Sequence, residues 1–197
     1  MGIRHILKID NLAEKEILKT KSVRVKQFDP GLQALVQDML DTMREQGGVG
    51  LAAVQIGVLR RVLVIETPPI EEEQEDGTTV EVEPSKAYVM VNPEITEAGT
   101  DRFAMTEGCL SLPGWYGDVP RADWVSFKYQ DQWGKLHRIK HADAHGYLVG
   151  RIVQHEIDHL DGILFTERIE DLSTLQDRRQ KAKPRRVGLL RRRTAET

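Results

Sequence analysis

The stretch Gln154-His155-Glu156-Ile157-Asp158-His159-Leu160 constrains this chain more than any other. On a helix, His155 and His159 sit one turn apart on the same side and reach a single ion together. Glu156 lies about 100° round the axis, close enough to handle a water at that ion without ligating it. The spacing predicts that helix. Leu148, Ile152, His155 and His159 follow one row, Val149, Val153 and Leu160 a second, and Gly162 stands where the helix stops. A helix apolar over so much of its circumference is a buried one. Two imidazoles and a carboxylate inside it need a partner, and a metal ion supplies one. The plainer alternative is a helix whose histidines are hydrogen-bonded in the core or lie on a wet edge.

Two histidines are two ligands, whereas a catalytic site of this kind takes three and keeps one position open. Candidates for the third are Cys109, an acidic side chain or another histidine. Cys109 is the only thiol and stands beside a glycine in the turn-like segment 106–114. A thiolate suits a borderline-soft divalent ion. Leu110 N–H and the Gln55 carboxamide are candidates for the donors that an amide hydrolase aims at an oxyanion. A single cysteine also excludes an internal disulfide framework and fits a reducing cytoplasm.

Along the chain, residues 3–9 read as a short strand or the entry to a turn at 10–12. Pro30 follows Asp29 as a helix start would have it. Leu32, Leu35, Val36, Met39, Leu40 and Met43 then recur at three and four up to Gly47-Gly48, the pattern of an amphipathic helix packed on a sheet. Residues 48–57 read as a tight turn leading to a strand at 61–65. Residues 66–83 carry eight acidic groups and no basic one, a solvated insertion or a hairpin with a long tip. A strand at 88–91 ends at Asn92-Pro93, residues 119–139 alternate as a hairpin, and Ile163-Leu164-Phe165 forms a last short strand. His137, His141 and His145 stand in polar surroundings, as exposed residues do.

The net charge of −3 hides an asymmetry: residues 1–177 carry −11 and residues 178–197 carry +8. This divides the chain into one catalytic domain, 1–177, with an acidic insertion at about 66–83, and a basic flexible tail, 178–197. No run approaches the ~20 apolar residues of a membrane span, and the first residues lack a signal peptide's apolar core.

Three segments carry a resemblance. Gly48-x-Gly50-Leu51-Ala52-Ala53-x-Gln55, Glu107-Gly108-Cys109-Leu110-Ser111 and Gln154-His155-Glu156-x-Asp158-His159 resemble, in order, the three motifs of peptide deformylase. Each alone is modest, and three in order are highly specific. The resemblance covers residues 30–169. It implies an α+β fold with antiparallel strands packed around a central buried helix that carries the metal motif. It implies removal of the N-formyl group from the starting methionine of new bacterial polypeptides in the cytoplasm. The ligands of the divalent ion would be Cys109, His155 and His159, with Glu156 as acid and base and Gln55 and the Leu110 N–H as oxyanion donors. The ion would be Fe²⁺ in the cell, with Zn²⁺, Ni²⁺ or Co²⁺ in purified protein. Gly50 would lie where the substrate backbone passes, and Val49, Leu148 and Ile152 would line the pocket for the methionine side chain. Val54 replaces a proline common in the family, and Tyr116 stands where some members have an arginine near the peptide.

Two rivals use the same helix. A metallopeptidase would take its third ligand downstream, from Glu167 or Glu170. A binding module would hold a structural metal with four protein ligands, and the sequence offers no obvious fourth. In the module the basic tail would be the working part; in the deformylase the arginines and lysines of residues 178–193 suit ribosomal RNA as a partner, the alternative being a disordered, solubilising extension.

Overall fold

The computed structural model describes residues 2–73, 78–145 and 149–179. Its centre is β2 (Val62–Thr67), whose Val62-Leu63-Val64-Ile65 run is fully buried. Successive side chains of a strand point to opposite faces, and here both faces are covered. Leu63 and Ile65 pack with Ile152, Val153, Ile157 and Leu160 of the metal-motif helix, α3 (Val149–Leu160). Val62 and Val64 pack with Leu32, Leu35, Val36, Met39 and Met43 of α2 (Pro30–Glu45). Each such side chain withdrawn from water contributes about 1.5–3 kcal/mol. The fold is therefore α+β, with α3 buried against antiparallel strands.

β2 belongs to a five-stranded antiparallel sheet in the order β1, β2, β5, β8, β9. The others are β1 (Gly50–Ala52), β5 (Lys86–Ala98), β8 (Trp124–Gln130) and β9 (Leu136–Asp143). β3 (Ile70–Glu73) and β4 (Thr79–Glu83) pair with each other, so the acidic insertion is a hairpin whose tip lies outside the described residues. A second, three-stranded sheet is built on the ribbon of β6 (Arg102–Cys109) and β7 (Leu112–Ala122), joined by the two-residue β10 (Gln176–Asp177). Cys109 ends β6. Leu112, Val119, Phe165, Ile169 and Leu175 close a small core beside it.

α3 begins against the end of β9. A Cβ on Gly150 would strike the carbonyls of Ala142 and Asp143, so only glycine lets the helix start there. It stops at Gly162, whose φ of 75° is left-handed. Among the described residues no helix is long and apolar enough to cross a membrane.

Several local expectations are corrected. Of the two readings of residues 3–9, the entry to a turn holds and the strand does not, the turn falling at Ile9 and Asp10; Asn11 then caps a short helix, α1 (Leu12–Leu18), by accepting from the Ala13 and Glu14 N–H groups. Residues 48–57 form β1 and a 3₁₀ turn rather than a plain turn. β5 does not end at Asn92-Pro93. Asn92 adopts φ 53° at a register shift, its amide holds both backbone groups of Val25, and the strand resumes. Residues 163–165 are not a strand, because Glu167 folds back to accept from Leu164 N–H and starts a 3₁₀ turn, Phe165–Glu167. The 106–114 segment is mostly strand, with its turn confined to Leu110 and Ser111. His137 is half-buried, bonded to Asp131 at 2.8 Å and stacked on Tyr129, while His141 and His145 are exposed.

Candidate metal centre

The buried face of α3 meets the end of the β6–β7 ribbon at Cys109. Ligand-type atoms of Cys109, His155 and His159 all lie within 4.8 Å of one another. Cys109 Sγ is 3.2 Å from His159 Nε2. Neighbouring corners of a tetrahedron around one ion stand roughly 3.5 Å apart when its bonds are ~2.1–2.3 Å, so the donors fit a single divalent ion. One thiolate with two imidazoles is a donor set for a borderline ion such as iron or zinc. Glu167 and Glu170, the downstream carboxylates, are spent on Lys19 and Arg102, each at 2.6 Å.

Gln55 sits in the 3₁₀ turn after β1. Its Oε1 accepts from Ala52 N–H at 2.8 Å, which fixes the carboxamide. Nε2 is thereby aimed at Cys109 Sγ (3.4 Å) and Ser111 Oγ (3.3 Å). Glu156 is buried, and its Oε2 has no hydrogen-bond partner among the described residues. Gly50 lies directly against it: an added Cβ would run into Glu156 Oε1 and come within 2.9 Å of Ile152 Cγ2. Val49, Gly50, Gln55, Cys109, Leu110, Ile152, His155 and Glu156 line one cavity of about 680 Å³. Leu148 lies outside the described residues.

Behind the three donors stands a buried charge network to which the sequence alone assigned no roles. His155 Nδ1 is 2.8 Å from Glu107 Oε2, which turns the other ring nitrogen toward the cluster. Glu107 accepts from Arg121 (2.8 and 2.9 Å) and from Arg151 (2.8 Å). Arg121 also donates to Asp158 at 2.7 Å, and Asp158 accepts from Arg168 at 2.6 Å. Arg151 spends its other N–H groups on the carbonyls of Ala144, Val119 and Phe103. The signal for this network was present in part, since Glu107 and Asp158 fall inside two motifs. Arg121 and Arg151 had none, because an arginine in a strand or on a helix reads as surface until its partners are placed.

The charges set the protonation of the site. Burial opposes charge on Cys109, but His159 and His155 overcome it and hold the thiol well below its ordinary value. Burial likewise opposes charge on His155, yet the hydrogen bonds with Cys109 and Glu107 raise its pKa to about 10. Burial disfavours the Glu107 carboxylate too, but His155 and Arg121 hold its carboxyl well below the carboxylate range. Glu156 differs: burial outweighs the neighbouring histidines and pushes its carboxyl up. Two carboxyl groups lining one cavity are thus driven to different states, one locked as an anion and one poised to hold a proton.

Comparison with known proteins agrees with this geometry. The polypeptide deformylase family model matches residues 3–174. A peptide deformylase of Roseiflexus castenholzii is 53% identical over 95% of this chain and all of its own length. One from Thermomicrobium roseum is 45% identical over 81% of this chain and 84% of its own length. Among solved structures, the Synechococcus elongatus peptide deformylase in complex with actinonin has a TM-score of 0.70 and 32% identity. The two cover 87% of this chain and 81% of that one. The Met-Ala-Ser-bound enzyme of Acinetobacter baumannii has a TM-score of 0.68 and 35% identity, covering 85% and 98%. The chain belongs to the polypeptide deformylase family, metal-dependent hydrolases that remove the N-formyl group from newly made polypeptides.

Proposed function

We propose that this chain deformylates N-formylmethionyl nascent peptides with Cys109, His155 and His159 as the ligands of one divalent ion, Fe²⁺ in the cell. The observation that carries the assignment is the meeting of these three donors within 4.8 Å, two of which, Cys109 and His155, line a cavity together with Glu156 and Gln55. A divalent ion held there supplies Lewis acidity, drawing the pKa of water from 15.7 toward ~7. Glu156 takes the proton of the attacking water and returns it to the amine that leaves as formate is released. Its raised pKa favours the return step, since burial makes the carboxyl a better keeper of the proton than an exposed one. Gln55 Nε2 and Leu110 N–H stand on the Cys109 side of the cavity, where they donate to the oxygen that gains charge. Val49 and Ile152 form an apolar wall for an unbranched methionine side chain, and Gly50 leaves room for the substrate backbone. The Met-Ala-Ser peptide bound by the Acinetobacter baumannii relative supports reading the cavity as a peptide groove.

Formate release from formyl-Met-Ala-Ser by protein purified without oxygen tests the assignment. Turnover should vanish with a chelator and return with Fe²⁺. Undiminished turnover in Cys109→Ala, with metal content unchanged, would overturn the ligand set.

A substrate made on ribosomes supports a cytoplasmic setting and a further partner. Residues 178–197 carry +8 on a body of −11, and a basic tail of this kind offsets repulsion between an acidic enzyme and ribosomal RNA. Residues 180–197 lie outside the described residues. Truncation after Arg179 should weaken ribosome binding most at low salt and leave formate release from short peptides within twofold. Equal affinity with and without the tail would remove the ribosome from this reading.

A further inference from the structure

The cavity extends beyond the cysteine–histidine cluster to a rim on β7, where the chain's own C-terminal segment is laid down. Gln176 and Asp177 pair antiparallel with Tyr116 and Trp115, and Arg178 N–H donates to the Gly114 carbonyl at 2.7 Å. This pairing sets two arginines over two aromatic rings. The Arg178 guanidinium lies 4.6 Å from the centre of the Tyr116 ring, and that of Arg179 lies 5.6 Å from the centre of the Trp115 ring.

Their electrostatic situations differ. Arg179 is clamped by Asp177 at 2.7 and 2.9 Å. Arg178 lines the cavity, and no carboxylate pairs with it among the described residues. The other cations lining the cavity are occupied. Lys8 Nζ donates to the Leu110 carbonyl at 2.6 Å, and Arg151 serves Glu107 and three carbonyls. A guanidinium stacked on a ring keeps its in-plane N–H donors for another acceptor, and the fork they form matches a carboxylate.

The rim lies close to the chemistry. Gly108 pairs with Tyr116 across the β6–β7 ladder, and a Cβ there would meet the Tyr116 ring at 2.6 Å. Cys109, Gly108, the Tyr116 ring and the Arg178 guanidinium therefore form a continuous series. An extended peptide advances about 3.3 Å per residue. With its formyl end at Cys109, such a peptide brings its second or third residue to the rim.

We propose that Arg178 is a specificity-determining residue, which favours nascent peptides bearing a carboxylate side chain one or two residues after the formylmethionine. The inference rests on the deformylase reading of this cavity. Its contact forms equally with bound substrate and transition state, so its effect belongs in KM rather than kcat.

The test compares formyl-Met-Ala-Glu amide and formyl-Met-Glu-Ala amide with their Gln counterparts, using the full metal-loaded chain. Amidation leaves the side chain as the only carboxylate. For at least one of the two positions, kcat/KM should favour Glu by roughly three- to tenfold, the scale of a partly exposed ion pair. The preference should lie in KM and shrink with added salt. Arg178→Gln should bring the ratio to near one, Arg178→Lys should keep part of it, and Arg178→Glu should invert it. A ratio near one in the unmutated chain, or the same ratio in Arg178→Gln, overturns the proposal. Absence of formate from every peptide with the unmutated loaded chain instead overturns the deformylase reading on which it rests.

Discussion

His155 Nδ1 and Glu107 Oε2 stand 2.8 Å apart, and through this contact a ring of the cysteine–histidine cluster is tied to two buried arginines. A carboxylate behind a ligating imidazole fixes its tautomer and orientation, and losing such a partner typically costs 10–100-fold in metal affinity. Glu107→Gln removes the anion and leaves Arg151 with carbonyl acceptors only. It should lower metal affinity by one to two decades and unfolding free energy by about 3 kcal/mol, read by metal competition and urea unfolding. The stability gap should close in acid. The folded carboxyl titrates far below its unfolded value of about 4.3, so its contribution is present above that pH and is lost on descending below it. A variant that holds metal and resists urea like the parent would show that the contact positions nothing.

Glu156→Gln separates activity from stability. The carboxamide cannot accept the water's proton, so kcat should fall by 10²–10⁴ while metal content stays the same. The fold should tolerate the change well. The native carboxyl is buried with one oxygen unpartnered, and replacing a group that resists ionisation by a neutral isostere removes a desolvation cost. Thermal unfolding of the variant at or above the parent's temperature, with turnover nearly abolished, is the expected pair of results. Turnover within threefold of the parent would take Glu156 out of the mechanism.

In Cys109→Ser the low-pKa thiol gives way to a hydroxyl that is rarely ionised near neutral pH and is a poorer, harder ligand. Iron content after dialysis should drop at least tenfold. The parent loaded with Fe²⁺ should lose activity in air within hours, since iron beside a thiolate is readily oxidised. An iron form stable in air for days would argue against a thiolate ligand.

Gly50→Ala tests how closely β1 approaches α3. The new methyl group would occupy the place of Glu156 Oε1 and press on Ile152. Either β1 or the Glu156 side chain must shift, and a misplacement of about 1 Å can cost on the order of 10²-fold in rate. Steady-state formate release and metal analysis should show a large fall in kcat with the metal still bound. A parent-like kcat would mean that β1 yields freely.

What was legible in the chain follows from what repeats. α2, α3 and β2 bury side chains at fixed periods, so Leu35, Met39 and Met43, or Val62 through Ile65, declared their elements before any contact was known. The candidate ligands Cys109, His155 and His159 could be nominated from the chain because chemistry restricts metal donors to few residue types, and the fold brings the three together. Local exceptions were not legible. Asn92 lets β5 continue past a proline only because its amide finds Val25, 67 positions earlier. Glu167 converts an apolar triplet into a 3₁₀ turn with one hydrogen bond. α1 buries little beyond Leu18, so it carries no apolar stripe to read. Arg121 and Arg151 are buried by partners that lie 14 and 44 positions away, which periodicity cannot register.

Cys109 comes from the end of the β6–β7 ribbon, and both histidines come from a helix embedded against the other sheet. The two pieces are 46 to 50 positions apart along the chain and meet at the cavity floor. Neither layer alone holds three donors, so the proposed site exists only where ribbon and helix are docked. On the proposed ligand set, an ion held there would bridge the seam, so that metal binding would also fasten the ribbon to the helix.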